Sequence, residues 1–212
     1  MYFIKTPKII RFFLKSYIWS VDTNNKEIYL TFDDGPTPVI TEFVLDTLRK
    51  HKAKATFFCI GKNIDNHPEL FQRIIDEGHS IGNHTQNHVN GWKTNNKLYI
   101  RQVYNCQSVI GKYLTHTTKK QILFRPPYGK IKNSQAKELI ELGYKIIMWS
   151  VLSGDFDLNI TKEQCLSNVL KNTKKGDIVV FHDSKKAYKN VEYTLPVMLK
   201  YFSNKGFNFK KL

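Results

Sequence analysis

The chain has few cysteines, few acids and no long apolar run. Cys59, Cys106 and Cys165 are odd in number and widely spaced over 212 residues, which excludes a disulfide framework and any Cys-x-x-Cys metal pair. Cys59 lies within an apolar strand and reads as a packing residue. This cysteine usage is compatible with a reducing compartment. No apolar stretch approaches the ~20 residues of a transmembrane helix. Lys5, Lys8, Arg11 and Lys15 interrupt the apolar positions of the first twenty residues, which therefore lack the continuous core of a signal peptide. The expected location is cytoplasmic or membrane-peripheral. Acids are scarce, 18 Asp and Glu against 33 Lys and Arg, and the net charge of +15 would draw anionic polymers or an acidic membrane surface. The basic residues are nevertheless scattered, with runs no longer than pairs such as Lys119-Lys120 and Lys174-Lys175, and no nucleic-acid module is recognisable. A solvated basic surface, with no nucleic-acid partner, is the expectation. Internal repeats and low-complexity segments are missing, and no Gly-x-Gly-x-x-Gly phosphate turn follows any strand.

What is present belongs to a folded globule: 41% hydrophobic and 13% aromatic residues, evenly spread, enough for one domain with a sizeable core. Residues 8–19 carry Ile9, Ile10, Phe13, Leu14, Tyr17 and Ile18 at helical spacing, which predicts an amphipathic N-terminal helix packed on the fold. A weak membrane-surface contact through residues 1–20 is the alternative. Beyond it, apolar runs predict strands at 28–33, 54–61, 79–82, 121–125, 144–151, 177–182 and 207–211. Helical patterns fall at 41–51, 68–77, 98–114, 134–142, 161–172 and 195–204. About seven strands alternating with six helices argue for parallel strands joined by helical crossovers. The expected fold is α/β, a distorted and incomplete (β/α) barrel. Residues 1–25 would form the N-terminal helix and 26–212 the main domain.

The first strand, Ile28-Tyr29-Leu30-Thr31-Phe32, runs into Asp33-Asp34 and is stopped by Gly35-Pro36. Successive strand residues face opposite ways, so the two acids can share a site only if the ladder breaks there. Two such close carboxylates would raise each other's pKa unless a cation lies nearby. In barrels, catalytic groups gather at the C-terminal ends of strands. Asp33, Asp34, His84, His88, Arg125, Asp155 and His182 all fall at or just after predicted strand ends. His84 and His88, four apart, would face one way on a helical turn, with Cβ atoms roughly 5–6 Å apart. With Asp34 they make a His-His-carboxylate set that leaves coordination positions open. In Arg125-Pro126-Pro127-Tyr128-Gly129, Tyr128 offers the first backbone N–H after two prolines, a donor suited to an oxyanion, and Arg125 could orient a carboxylate. Ile178-Val179-Val180-Phe181-His182 delivers an imidazole at a buried strand's end, where an acid such as Asp155 would keep it protonated as a general acid.

Taken together, Thr31-Phe32-Asp33-Asp34-Gly35-Pro36, His84-Thr85-x-x-His88, Arg125-Pro126-Pro127-Tyr128 and Val180-Phe181-His182 resemble the ordered motifs of the polysaccharide deacetylase family, carbohydrate esterase family 4 with the NodB-homology fold. Ala55-Thr56-Phe57-Phe58 and Gly78-His79-Ser80-Ile81-Gly82-Asn83 resemble it too, so the likeness covers residues 26–212. It implies that Asp33 is the general base and that Asp34, His84 and His88 hold one divalent metal, zinc, with cobalt or nickel accepted in some members. It also implies that Arg125 positions Asp33, that the Tyr128 N–H helps the oxyanion and that His182 is the general acid. Val180 would line the pocket for the acetyl methyl. The implied activity is hydrolytic removal of acetyl groups from N-acetylated amino sugars of a peptidoglycan- or chitin-like glycan.

One motif departs. Where the family often has Asp-x-x-Asp-Trp, this chain reads Leu152-Ser153-Gly154-Asp155-Phe156. Asp155 would still orient His182, with Asp157 as a rival, and Phe156 would supply a smaller groove wall. Three other readings are open: an O-acetyl esterase or cyclic-amide hydrolase on the same fold, a non-catalytic glycan-binding module, and a basic nucleic-acid scaffold. Oligomeric state is not legible in the sequence.

Overall fold

A computed structural model describes residues 2–114 and 122–212. Its strands are β1 (Glu27–Asp33), β2 (Thr56–Cys59), β3 (Ser80–Asn83), β4 (Ile122–Phe124), β5 (Tyr144–Ile146), β6 (Val151–Leu152), β7 (Ile178–His182) and β8 (Asn208–Lys210). Its helices are α1 (Lys8–Phe13), α2 (Ile40–Lys50), α3 (Gly61–Asn66), α4 (Pro68–Asp76), α5 (Asn96–Gly111), α6 (Asn133–Glu141), α7 (Lys162–Asn172) and α8 (Tyr188–Asn204). The strands form one sheet in the order β5-β4-β3-β2-β1-β7-β6, with β8 added on β1, and every ladder is parallel. Gln121, predicted at the start of the fourth strand, lies outside the described residues.

The period of two sorts side chains between two interiors. In β1, Ile28, Leu30 and Phe32 go to the layer between sheet and helices, with Val44 and Leu45 of α2 and Leu195 and Leu199 of α8. Tyr29 points the other way, into the curl of the sheet, where it packs with Phe58, Leu123, Ile147 and Ile178. Thr31 and Asp33 follow Tyr29 on that inner face, so the strand ends with a carboxylate inside the barrel mouth.

The predicted strand over 144–151 is two strands, and they lie at opposite ends of the sheet order. Residues 147–150 cross between them, which makes this a barrel bridged by irregular chain. Ile147 N–H donates to the Phe124 carbonyl at 2.8 Å, Met148 N–H to the Ile18 carbonyl at 2.7 Å and Ser150 N–H to the Ile178 carbonyl at 3.1 Å. The N-terminal segment fills the same gap, through isolated pairings of Lys5 with Val151, Ile18 with Ile147 and Ser20 with Asp177. That pairing requires extended chain, and the helix predicted over 8–19 therefore ends at Phe13. Tyr17 and Trp19 are buried beside Met148 and Tyr144, with Ile10 and Leu14 against them. Helix α3 has no counterpart among the predicted helices, and α8 starts at Tyr188 rather than 195. The three cysteines are buried free thiols.

Candidate active site

The C-terminal ends of β1, β3, β4 and β7 meet at one rim. Asp33, the last residue of β1, is 4% exposed, and its charge is met by Arg125, which is fully buried. Arg125 Nη1 donates to Asp33 Oδ1 and to Thr31 Oγ1, both at 2.7 Å. The same guanidinium donates from Nε to the Ile147 carbonyl at 3.1 Å and from Nη2 to the Met148 carbonyl at 2.9 Å. Those carbonyls lie in the bridge between β5 and β6, outside the regular ladders. One planar fork thus fixes the acid and satisfies the broken part of the barrel. The guanidinium lies 4.1 Å over the Phe58 ring. Gly82 makes room for that ring, since a Cβ there would sit 2.4 Å from Phe58 Cδ1.

Asp34 leaves the ladder with φ 85°. Its carbonyl accepts from Asn63 Nδ2 of α3 at 2.7 Å. Gly35 N–H donates to Asp183 Oδ1 at 3.0 Å, and Thr41 Oγ1 donates to the same carboxylate. A Cβ on Gly35 would lie 1.9 Å from Asp183 Oδ2, so only glycine fits where this turn is clamped. Burial pushes the Asp183 carboxyl up to about 7, with the charge of Asp34 adding to the effect. Asp183 and Asn63 were missed in the sequence. The His182-Asp183 pair at a buried strand's end was the available signal for Asp183; nothing local marked Asn63.

His84 and His88 do converge with Asp34, but not on a helix. Residues after β3 form a bent loop in which Thr85 (φ 65°) and His88 (φ 53°) take left-handed backbone, and this kink turns both rings to one side. The expectation of a helical turn is corrected: the shared facing comes from two positive-φ residues. Asn83 Oδ1 accepts from Thr85 N–H at 2.9 Å and Thr85 Oγ1 from Val89 N–H at 3.2 Å, which holds the loop. One donor atom from each of Asp34, His84 and His88 lies within 4.8 Å of the others. His84 Nδ1 is 2.8 Å from the Arg125 carbonyl and so carries its proton there, leaving Nε2 bare toward Asp34 Oδ1 at 3.7 Å. Burial drives the His84 pKa down to about 4, although Asp33 and Asp34 act against it, so the ring is neutral as a ligand must be. His88 Nδ1 meets the Tyr128 hydroxyl at 3.1 Å, and its Nε2 is 3.2 Å from Asp34 Oδ1. Asp34 Oδ1 itself is buried without a hydrogen-bond partner. Two imidazole nitrogens and an orphaned carboxylate oxygen facing one point are the donor set of a divalent cation site with open positions.

Tyr128 also has left-handed backbone, φ 60°, between Pro127 and Gly129. Among the described residues its N–H has no protein acceptor. Its side chain is 60% exposed, with the ring 4.5 Å from that of His88. Opposite, Asp155 is fully buried and holds His182 twice, accepting from the backbone N–H at 2.7 Å and meeting ring Nδ1 at 2.8 Å. Burial alone would lower the His182 pKa; the charge and hydrogen bond of Asp155 outweigh it and push it up to about 10. Asp157 does not compete for this place, since its carboxylate takes the Tyr2 hydroxyl at 2.8 Å and Asn159. Phe156 stands with its ring 5.2 Å from His182 on one side and 5.2 Å from Tyr2 on the other. Val180 is buried two residues before His182 and shares its face of β7.

The polysaccharide deacetylase family profile matches residues 20–147, and relatives match over most of the chain. The chain belongs to the polysaccharide deacetylase family. A peptidoglycan-N-acetylglucosamine deacetylase of Bacillus cereus is 36% identical over 192 residues, 90% of this chain and 88% of that protein. A chitooligosaccharide deacetylase of Azorhizobium caulinodans is 33% identical over 77% of this chain and 76% of its own length. Other relatives are longer: the chain spans 38% of the peptidoglycan-N-acetylglucosamine deacetylase PgdA of Listeria monocytogenes, at 35% identity. The crystal structure of the Bc1960 peptidoglycan N-acetylglucosamine deacetylase superposes with a TM-score of 0.87 at 32% identity, covering 98% of this chain and 95% of that one. By class this protein is a hydrolase, on the distorted barrel expected of its family. Among its described residues, no helix is long and apolar enough to cross a membrane.

Proposed function

We propose that this protein removes acetyl groups from N-acetylated amino sugars of a peptidoglycan- or chitin-like glycan, using one divalent cation held by Asp34, His84 and His88. The observation that carries the reading is the convergence of those three donors beside a second carboxylate, Asp33, that is tied to a buried arginine. A cation bound there, zinc by preference and cobalt or nickel as substitutes, would supply Lewis acidity to the acetyl carbonyl and to a water, whose pKa falls toward ~7 in such sites. Asp33 takes the proton of the attacking water as general base, and Arg125 holds the carboxylate in place for it. The Tyr128 N–H donates to the oxygen on which charge develops as the carbonyl carbon becomes tetrahedral. On the other side, His182, kept protonated by Asp155, gives its proton to the departing amine. Acetate leaves and a free amino sugar remains. Val180 packs against the acetyl methyl, and Phe156 forms a groove wall in place of the bulkier indole.

Acetate release from N-acetylglucosamine oligomers by the zinc- or cobalt-loaded protein tests the reading, with acetylated xylan and a cyclic imide as comparison substrates. The expected result is turnover of the amide and a loss of at least roughly a hundred-fold in Asp33→Asn, the lower range for general acid–base catalysis. Turnover of the ester or imide alone would replace the substrate assignment. Full activity in Asp33→Asn would remove the base.

A further inference from the structure

We infer that the N-terminal segment docks this protein on an anionic lipid bilayer, through an apolar face of α1 that the fold leaves uncovered. Helix α1 buries none of its residues completely. Ile10, with Leu14 just beyond the helix, turns toward the body of the protein, against the cluster that holds Tyr17 and Trp19. Ile9, Phe12 and Phe13 follow the i, i+3, i+4 pattern of a second face and are 60%, 59% and 75% exposed. Phe3, in the extended chain before the helix, is also exposed, at 61%. Three of the twelve large apolar side chains that stand exposed among the described residues thus share one face of a single short helix, a cluster rather than the usual scatter.

The charge around this face selects the occupant. Residues 1–21 contain no acid, and Lys8 and Lys15 stand exposed beside the apolar residues. The Lys15 ammonium lies 4.1 Å over the Phe12 ring, on the border between the apolar and the basic surface. The whole chain carries +15. Aromatic and aliphatic side chains flanked by lysines suit insertion at the headgroup level of a negatively charged leaflet. A second copy of the chain fits less well, because pairing two such faces would bring like charges together.

Docking through α1 lies away from the active-site mouth. Thr6, just before α1, donates its N–H to the Ser150 carbonyl, and Ser150 N–H in turn bonds the Ile178 carbonyl. The chain therefore enters α1 level with the first residue of β7, four residues before His182, on the order of 13 Å below the rim at ~3.3 Å per strand residue.

The test is co-sedimentation of the full chain with vesicles of phosphatidylcholine alone and of phosphatidylcholine with phosphatidylglycerol, for the wild type, Phe12→Asp/Phe13→Asp and Lys8→Glu/Lys15→Glu. Light scattering of the same samples gives the oligomeric state. The expected result is a monomer that binds the anionic vesicles, less at high salt, with roughly ten-fold weaker partitioning in each double variant. The substituted side chains are exposed, so an unchanged thermal midpoint and unchanged acetate release in solution separate lost docking from lost fold. The inference is overturned by absence of binding to anionic vesicles, by binding that the Phe12→Asp/Phe13→Asp variant retains in full, or by a wild-type dimer that this variant dissociates.

Discussion

Arg125 has two duties at once, and its replacement separates them. Its guanidinium holds the Asp33 carboxylate and two bridge carbonyls with no exposure to water. Removing one member of a buried ion pair costs about 3–5 kcal/mol, because the other charge stays behind unpaired. Arg125→Met is therefore expected to lose about that much in urea unfolding and to lose activity with it, whereas Asp33→Asn, which keeps the bridge contacts, loses activity with a smaller shift in midpoint. His182 answers to pH. Its pKa is raised to about 10, so the stability contributed by its pair with Asp155 is complete below about 6.5, the unfolded value, and is lost as pH rises through about 10. The acid form that the proposed mechanism uses persists over the same range. In Asp155→Asn the alkaline limb of kcat/KM is expected to move to lower pH; a limb that stays where it was would mean that another group is the acid.

At the scale of elements, the geometry of the candidate site is made by strand ends and by backbone kinks after them. Asp34, Thr85, His88 and Tyr128 all have positive φ, a conformation that costs on the order of 1 kcal/mol or more for a side-chain-bearing residue. All lie at the rim where donors converge: Asn63 holds Asp34, Asn83 holds Thr85, Asp183 clamps Gly35, and His88 meets Tyr128. Behind them, close packing of β2 and β3 sets the height of Arg125 through the Phe58 ring. Gly82→Ala forces that ring to move, and overpacking of this kind costs typically about 1–3 kcal/mol. The expected outcome is a lowered urea midpoint and a fall in kcat larger than any change in KM, since Arg125 and Asp33 shift while the outer groove does not. The predicted 8–19 helix failed at this scale for an identifiable reason: residues 17–20 pair with the barrel's open side, and a hydrophobic period cannot show that vacancy.

For the whole molecule, the proposed cation links distant parts of the chain. Asp34 and the two histidines are some fifty residues apart in sequence, and an ion that binds only the folded state stabilises it by about 2.7 kcal/mol at a hundred-fold excess over Kd. Zinc added to chelator-treated protein is expected to raise the thermal midpoint and restore acetate release, and His84→Ala to abolish both effects. An unchanged midpoint with full activity in chelator would remove the metal from the proposal. The basic surface acts at longer range, and its reading separates from the active site because vesicle binding and acetate release are measured independently.

Residue order by itself determined the alternation of strand and helix, the parallel barrel class and the positions of Asp33, Asp34, His84, His88, Arg125, Asp155 and His182 at or just after strand ends, because apolar periodicity and breaker residues are local signals. The family resemblance was legible in the same motifs. Only the tertiary structure decided that Asp155 and not Asp157 holds His182, that 144–151 divides to bridge the barrel, that Asp183 clamps the Asp34 turn and that one face of α1 stays bare. Each of these depends on which distant segment supplies a hydrogen-bond partner or covers an apolar surface, and no local pattern carries that information.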